Sequence, residues 1–302
     1  MGFLFEEMEP QERFQEPPYG TKRITVSFSG GQTSGKMCHQ IIKQFSDTHE
    51  IVITFANTGQ EAEETLEFVH NCEKEFGWNV VWLEAVTHHG ERKGCTHKIV
   101  DYETASRKGE PFEEAIKKYG LPNPKFLFCT RELKVNAMQS YLKSIGWNWG
   151  TYTTCIGIRS DEMDRMNAKR KEYKFWYPLV NSNWDRKAVD DWWDKQPFKL
   201  GIPNYLGNCV WCYKKTFKKL KRIAKERPEV FDFPKRMEKL YKNTGAGEER
   251  QIFRKHTTTV QLLANANNEN EGDEIAGSCD DGCEVFGQYW DESELKKGIE
   301  ND

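Results

Sequence analysis

A short run of glycines and small polar residues near the N-terminus has the composition of an anion-binding loop. It consists of Ser29, Gly30, Gly31, Gln32, Thr33 and Ser34. The run follows the β-rich stretch Ile24–Phe28 and precedes a stretch with helical spacing, so its backbone N–H groups can point towards an anion at the positive end of a helix dipole. Glycines permit the tight turn, and the hydroxyl groups add hydrogen-bond donors. The run therefore predicts a cradle for a phosphate or sulfate group.

Two known kinds of phosphate-binding loop have sequence motifs similar to this run. Gly30, four further residues and then Gly35-Lys36 nearly match the Walker P-loop, whose next residue is a Ser or Thr that binds magnesium. Met37 occupies that position, and a thioether is a poor ligand for a hard cation. The second kind, Ser-Gly-Gly-x-(Asp/Thr)-Ser, agrees with the run at every position. In this the run resembles the PP-loop superfamily, which includes ATP pyrophosphatases and phosphoadenosine phosphosulfate (PAPS) reductases.

Further motifs resemble the PAPS reductase family of that superfamily, and they follow the family's order over about residues 22 to 225. These motifs are Asn57-Thr58-Gly59 with Glu64-Thr65, Cys129-Thr130-Arg131-Glu132-Leu133-Lys134, Gly157-Ile158-Arg159-Ser160-Asp161-Glu162, Tyr177-Pro178-Leu179, and Gly207-Asn208-Cys209 with Cys212. Several motifs in one order are much more specific than any one alone. On this resemblance the chain is identified as a member of the family, which implies an α/β, Rossmann-like PP-loop fold with helices flanking a parallel twisted sheet.

The resemblance also implies roles for individual residues. The loop, together with Asn57, Thr58 and Gly59, would bind an adenine nucleotide, either PAPS or ATP, with Mg²⁺ as a candidate companion. Ligands of open α/β sheets bind at the carboxyl ends of strands, where Asn57 could hydrogen-bond a base or ribose. Arg159 and Lys134 are the candidate catalytic cations, because either side chain could hold a second oxyanion.

Cysteine usage indicates a reducing compartment and a metal site. The chain has nine cysteines and no signal-peptide pattern at its N-terminus, which predicts a cytoplasmic protein with free or metal-bound thiols. Cys209 and Cys212 form a Cys-x-x-Cys pair. Cys129 and Cys283 would complete a four-thiolate site, with Cys279 as the substitute for Cys283. Four thiolates suit a 4Fe–4S cluster or a structural zinc ion, and we expect the cluster, with zinc as the alternative.

Cys283 has two predicted roles that exclude each other. Family reductases without a cluster end in a mobile Glu-Cys-Gly segment whose cysteine attacks the sulfate sulfur, whereas this chain has Asp281-Gly282-Cys283-Glu284. A thiolate that is bound to a metal is not free to act as a nucleophile. Because the acidic neighbours disfavour a free thiolate, we expect a metal-ligand role, and the catalytic role remains the alternative.

Three functions remain open at this point. The preferred one is reduction of an adenine sulfonucleotide, in which a cysteine thiolate attacks sulfur and a thioredoxin-like reductant releases the product. The second is an ATP-dependent sulfurtransferase with an iron–sulfur cluster that acts on nucleic acid. Its nucleic-acid partner would bind Lys214–Arg227, where eight of fourteen residues are basic. The third is a non-catalytic nucleotide-binding module with a structural metal.

Alternating strands and helices must position these groups. The β-rich runs are Ile24–Phe28, Ile51–Ala56, Asn79–Leu83 and Thr151–Ile158, and the helical patterns are Ser34–Phe45, Glu61–Phe76, Pro111–Tyr119, Arg131–Ile145, Asp185–Trp193 and Lys214–Ala224. Strand and helix alternate at a spacing that predicts right-handed crossovers and a parallel sheet. Residues 87–126 are predicted to form a long irregular insertion that contains only one short helix.

Composition divides the chain into four parts. They are an N-terminal extension (1–21), a nucleotide-binding α/β domain (22–180), a helical Cys-x-x-Cys region (181–264) and an acidic linker with a cysteine tail (265–302). The tail has twelve acidic and two basic residues, so it carries −10 and the preceding body +7, which suits a body that binds anionic ligands. No apolar run approaches the roughly 20 residues that span a bilayer, which excludes an integral membrane protein.

Overall fold

The computed structural model describes residues 9–90, 93–245 and 249–267, and a six-stranded sheet lies at its centre. The strands are β1 (Arg23–Ser27), β2 (Glu50–Asn57), β3 (Val80–Thr87), β4 (Cys95–Val100), β5 (Thr153–Ile156) and β6 (Phe175–Trp176). Their order across the sheet is β4-β3-β2-β1-β5-β6, and every neighbouring pair is parallel except β3 with β4. The predicted α/β fold with a mostly parallel sheet is confirmed.

Helices flank the sheet and form most of the C-terminal part. They are α1 (Gln32–Phe45), α2 (Glu63–Phe76), α3 (Glu110–Tyr119), α4 (Asn136–Ser144), α5 (Pro178–Asn181), α6 (Arg186–Trp193), α7 (Phe217–Glu226), α8 (Asp232–Tyr241) and α9 (Thr259–Ala264). A π-helical segment, Thr130–Val135, runs directly into α4. Within the described ranges, every helix is too short or too polar to cross a lipid bilayer.

β1 is the point at which the topology of the sheet changes direction. It pairs with β2 on one side and with β5 on the other, so Val26 lies opposite both Ile53 and Cys155. The crossover through α1 leads to one side of β1, and the later strands add on the other side. This divergence opens a crevice at the carboxyl end of β1, which is where ligands of open α/β sheets bind.

The predicted irregular insertion contains a strand that the sequence did not indicate. β4 pairs antiparallel with β3, with Thr87 opposite Cys95 and Trp82 opposite Val100. The prediction failed here because β4 lies at the edge of the sheet and only its two end residues are buried, while Ile99 is 59% exposed. A strand with so few buried positions lacks the alternating pattern by which strands are recognised. The fourth predicted strand is confirmed as the shorter β5.

Two large hydrophobic cores lie in different parts of the molecule. The first covers the sheet under α1, α2 and α6, and it includes Trp176 and Trp193. The second joins the insertion to the C-terminal helices through Phe112, Trp211 and Phe233, whose ring centroids are 5.3 to 5.9 Å apart. The second core therefore draws on residues from both sides of residue 180.

Candidate functional site

The anion loop connects β1 to α1 at the crevice. Gly30 has a φ of +77°, a left-handed conformation that favours glycine, and α1 begins at Gln32 without a side-chain cap on its first N–H groups. The Ser34 hydroxyl donates to the Gly31 carbonyl (3.0 Å) and lies 2.9 Å from the Ser29 hydroxyl. Both serines were expected to donate to an anion, but their hydroxyls bind within the loop and fix its shape. The backbone N–H groups at the start of α1 remain as the main donors.

Close packing holds the loop in place from three sides. A Cβ atom on Gly30 would lie 2.7 Å from Cγ2 of Thr65 on α2, and one on Gly157 would lie 3.0 Å from Cα of Ser34. A Cβ atom on Gly35 would lie 2.7 Å from the ring of Trp193 on α6, and the indole N–H of Trp193 donates to the Gln32 carbonyl at 2.8 Å. The loop is therefore rigidly placed by its neighbours before any ligand binds.

Arg159 reaches the loop from the segment that follows β5. Its side chain is 4% exposed, and its Nη1 donates to Thr33 Oγ1 at 3.1 Å. Asp161 accepts hydrogen bonds from Nε (3.0 Å) and Nη2 (3.2 Å), which fixes the plane of the guanidinium. The structure thus brings together the predicted loop and one of the two predicted catalytic cations.

The loop and Arg159 line a cleft that encloses about 530 Å³, open solvent included. The other lining residues are Thr65, Arg186, Val189, Asp190, Leu200, Ile202, Pro203, Asn204, Gly207 and Asn208. They come from α2, from α6 and from the irregular stretch 200–208. The cleft therefore combines an anion-binding floor with an apolar wall and a second guanidinium, that of Arg186.

Lys36 points away from this cleft. Its ammonium lies 4.1 Å from the ring centroid of Trp184 and 4.9 Å from that of Trp192, and it donates to Gln40 at 3.2 Å. Burial lowers the pKa of Lys36 to about 8, and the neighbouring Lys43 contributes in the same direction. Because a Walker lysine must reach the phosphates, this geometry supports the PP-loop interpretation.

The predicted nucleotide-binding turn Asn57–Gly59 faces the protein instead of the cleft. The Asn57 amide donates to Glu84 (2.8 Å) and to the Ser106 carbonyl (2.9 Å), so both of its N–H groups are used within the chain. A Cβ atom on Gly59 would lie 2.8 Å from the Gly109 nitrogen, so the close approach that glycine permits there is made by residues 106–109. These contacts use the Asn57 amide and the space beside Gly59 within the chain, and a nucleotide contact by Asn57, Thr58 or Gly59 stays a prediction.

Lys134, the second predicted catalytic cation, lies in a buried polar group beside that turn. Its Nζ is 3.7 Å from Glu61 Oε1, and Glu61 also accepts hydrogen bonds from the backbone and hydroxyl of Thr58. The Cys209 thiol lies 3.4 Å from the Thr58 hydroxyl. Arg159 is one of the residues that line the cleft, whereas Lys134 is not.

The predicted metal ligands are only partly described. Burial raises the pKa of the Cys209 thiol, and the Glu61 carboxylate raises it further. Cys129 has its sulfur 3.4 Å from the Tyr213 hydroxyl. Among the described residues, no group of three or more Cys, His, Asp or Glu side chains is placed to hold a metal ion, so Cys129, Cys209 and Cys212 do not form a centre by themselves. Cys279 and Cys283 lie outside the described residues, and the cluster and the zinc ion stay predictions.

The helix expected at Lys214–Ala224 begins later, as α7 (Phe217–Glu226), so the basic segment Lys214–Arg227 does not lie on one helix. Lys214 and Lys215 precede α7, and Lys215 is buried with its Nζ 2.6 Å from the Gly207 carbonyl. Arg227 pairs with Glu64 at 2.8 Å. Some of the basic residues in this segment therefore make structural contacts, and others form an exposed stripe on α7.

Several residues of the cleft carried no recognisable signal in the sequence. Arg186 lies at the start of a predicted helix, and Leu200 and Ile202 lie in an irregular stretch. Their place in the cleft depends on how α6 packs across Gly35, which is a tertiary contact. One signal in the sequence points to these residues. Residues 195–208, close to a glycine-rich segment, show no regular helix or strand pattern, and such connecting segments often carry binding residues.

Comparisons with known proteins agree with the site. Residues 23–196 match the model of a family described as the phosphoadenosine phosphosulfate reductase domain. The chain is 29% identical over 282 residues to an uncharacterized nin region protein of Escherichia phage lambda, which covers 88% of this chain and 96% of that protein. It is 24% identical over 157 residues to an uncharacterized protein of Methanocaldococcus jannaschii, which covers 52% of this chain and 27% of that protein. The family match spans the loop, Arg159 and α6.

Proposed function

Because the chain belongs to the phosphoadenosine phosphosulfate reductase domain family, we propose that it is an enzyme that binds an adenine nucleotide in the cleft, with the sulfate or phosphate end on the Ser29–Ser34 loop. One observation carries this proposal. The buried guanidinium of Arg159 donates to Thr33 at the start of α1, and both residues line the same cleft. A buried, oriented cation beside uncapped helix N–H groups is an arrangement that stabilises an oxyanion.

The apolar wall of the cleft fits the rest of such a ligand. Val189, Leu200 and Ile202 line the same cleft as the loop, and an adenine ring offers a flat apolar face of the kind that such side chains cover. Arg186, whose Nε pairs with Asp190 at 3.4 Å, adds a guanidinium for a nucleotide with more than one anionic group. The cleft thus has the composition expected for a charged ligand with an aromatic base.

For the reaction, we propose reduction of a sulfonucleotide. A cysteine thiolate attacks the sulfur, a bond forms between the two sulfur atoms, and the bond from sulfur to the phosphate oxygen breaks so that the adenosine phosphate leaves. A thioredoxin-like dithiol then releases sulfite from the S-sulfocysteine and is itself oxidised to a disulfide. In this reaction Cys283 takes its alternative role as the nucleophile, so Cys279 would replace it as a metal ligand, and Arg159 would stabilise the charge on the departing phosphate.

An ATP-dependent sulfurtransferase that acts on nucleic acid is the second candidate. The observation in its favour is the exposed stripe of Lys218, Arg222 and Lys225 on α7, because residues four and three positions apart share one helix face. Such a stripe can contact a phosphate backbone. In this function the loop would hold the pyrophosphate that ATP releases.

Binding is tested by titration calorimetry of the full chain with PAPS and with a non-hydrolysable ATP analogue. We expect Arg159→Gln to weaken binding by about 10- to 100-fold, which corresponds to one charge-assisted hydrogen bond of about 1.5–3 kcal/mol. Arg23→Gln is the matched control, because Arg23 pairs with Glu50 at the opposite end of β1 and is partly exposed. No binding of either nucleotide to the unaltered chain would reject the proposal.

Product analysis separates the candidate reactions. Sulfite formed from PAPS with a dithiol supports the reductase, and pyrophosphate formed from ATP with an RNA acceptor supports the sulfurtransferase. Binding without either product would support a non-catalytic module. Loss of sulfite production in Cys283→Ser, with nucleotide affinity unchanged, is the result expected if Cys283 is the nucleophile.

A further inference from the structure

Thr65 has a buried hydroxyl group that the fold leaves unpaired at the cleft. The residue lies in the first turn of α2 and is 3% exposed, and among the described residues its Oγ1 has no hydrogen-bond partner. Thr65 is also one of the residues that line the cleft. Buried hydroxyl groups are normally hydrogen-bonded, so an unpaired one at the border of a binding site requires an explanation.

The position of Thr65 places it directly against the anion loop. Its Cγ2 would lie 2.7 Å from a Cβ atom on Gly30, so the side chain packs against the backbone of this loop glycine. A rotation of about 120° about χ1 moves the hydroxyl of a threonine into the position of its methyl group and the methyl group into the position of the β-hydrogen, and threonine in helices populates two χ1 rotamers. The hydroxyl can therefore reach the face of the loop that its methyl group now covers.

The Thr65 hydroxyl does not make the intrahelical hydrogen bond that is common for threonine. Threonine in a helix commonly bonds the carbonyl three or four residues earlier. Here the Ala62 carbonyl already accepts the backbone N–H groups of Thr65 (2.9 Å) and Leu66 (3.4 Å). The helix start is thus complete without the Thr65 side chain.

We propose that the Thr65 hydroxyl is a ligand-binding group that donates a hydrogen bond to an oxygen of the sulfuryl or phosphoryl group on the loop. This inference rests on the proposed function, because it assumes that an anionic nucleotide occupies the cleft. Thr65 supplies a donor from α2, whereas the loop donors come from α1 and the guanidinium comes from the segment after β5. The anion is then held from three separate elements.

The inference predicts that stability and binding change in opposite directions. Thr65→Val keeps the volume and the methyl contact with Gly30 but removes an unpaired polar group, so the ligand-free protein should melt at the same or a higher temperature. The same variant should bind nucleotide about 5- to 20-fold more weakly. Thr65→Ser keeps the hydroxyl and should bind within about threefold of the unaltered chain.

Thr54 provides a matched control. It is a buried threonine on β2 whose hydroxyl is also unpaired among the described residues, and it does not line the cleft. Thr54→Val should therefore leave nucleotide affinity unchanged. Calorimetry with PAPS and with a non-hydrolysable ATP analogue tells the two anion sources apart, since the hydroxyl should affect most the nucleotide whose end group it contacts.

Three outcomes decide the question. Weaker binding in Thr65→Val together with near-normal binding in Thr65→Ser supports the inference. Unchanged affinity in Thr65→Val overturns it, and so does an equal loss in both variants, because Thr65→Ser retains the hydroxyl and the hydroxyl would then not be the determinant. If the unaltered chain binds neither nucleotide, the proposed function fails instead.

Discussion

Gly30 illustrates how a single position combines backbone conformation with packing. Its φ of +77° disfavours any other residue, and a Cβ atom there would lie 2.7 Å from Thr65. Gly77 has a similar φ of +65° but has no atom within 4 Å of its Cβ position. The two glycines therefore separate the effect of conformation from that of crowding.

We expect Gly77→Ala to lower the free energy of unfolding by about 1–2 kcal/mol, the cost of a left-handed residue with a side chain. Gly30→Ala should lower it by a further ~1–3 kcal/mol because the new methyl group crowds the side chain of Thr65. Urea denaturation measures both, and calorimetry should show weaker nucleotide binding in Gly30→Ala alone. Equal losses of stability in the two variants would contradict the crowding.

Lys36 predicts an unusual dependence of stability on pH. Burial lowers its pKa to about 8 in the folded protein, from an ordinary value of 10.5. Between these two pH values the unfolded chain binds more protons than the folded chain, so Lys36 makes the free energy of unfolding rise with pH. Below pH 8 Lys36 is charged in both states, and the folded protein bears the full cost of burying that charge.

Lys36→Met should remove that rise and stabilise the protein at pH 7. We expect a gain of about 1–3 kcal/mol, because the lost contacts with Trp184 and Trp192 offset part of the burial cost. The measurement is urea denaturation of both proteins at pH 7 and pH 9.5. A stability difference that is the same at both pH values would show that Lys36 does not titrate in this range.

Residue types predicted the site only where the relevant contacts are local in sequence. The loop is recognisable because its turn, its hydroxyl groups and its helix start are adjacent, and Arg159 is recognisable because it lies in a motif. The internal partners of Asn57, Glu84 and Ser106, were not predicted because they come from distant segments. Thr65 and Arg186 belong to the cleft through the packing of whole helices, which residue spacing does not reveal.

At the scale of elements, α1 and α6 cross at a position that requires glycine. Gly35 lies within α1, and a Cβ atom there would approach the buried ring of Trp193 to 2.7 Å. Alanine usually stabilises a helix by about 1 kcal/mol relative to glycine. Because the two helices cross at Gly35, we expect alanine at this position to destabilise the protein instead.

We expect Gly35→Ala to lower the free energy of unfolding by about 1–3 kcal/mol, because the two helices must separate or the indole must leave its position. Urea denaturation of Gly35→Ala, Trp193→Phe and the double variant measures the coupling between the positions. The cost of Gly35→Ala should fall when the smaller ring is present. A stabilising effect of Gly35→Ala alone would contradict this packing.

The predictable elements are those with buried residues at regular intervals. β1, β2, α1 and α2 were predicted within a few residues because both faces of the central strands and one face of each helix are buried. The helix expected at Arg131–Ile145 instead begins as the π-helical segment Thr130–Val135. Sequence periodicity does not distinguish these helix types over one or two turns, although π-helical turns are frequent at functional sites.

For the whole molecule, the metal content shows whether the cysteines of the body and the tail form one site. The described cysteines need a further ligand from the acidic tail to form a four-thiolate site, so we expect metal only in the full chain. Anaerobically purified protein should contain iron and labile sulfide, and Cys209→Ser and Cys279→Ser should each lower the content, since Cys279 takes the place of Cys283 as a ligand when Cys283 is the nucleophile. Cys38→Ala is the control, because Cys38 is buried in the first core. Absence of both iron and zinc from fresh protein would contradict the metal prediction.

The second core also limits where two related genes of this kind can recombine and still encode a well-packed protein. The family match ends at residue 196, yet Phe112 of the insertion stacks on Trp211 at 5.3 Å and contacts Phe233 at 5.9 Å. Genetic recombination between related genes near residue 196 would divide these partners between two parents. Such a chimera would join apolar faces that were never selected to fit one another. The insertion and the C-terminal helices should therefore be transmitted as one unit, even though β5 and β6 lie between them in sequence.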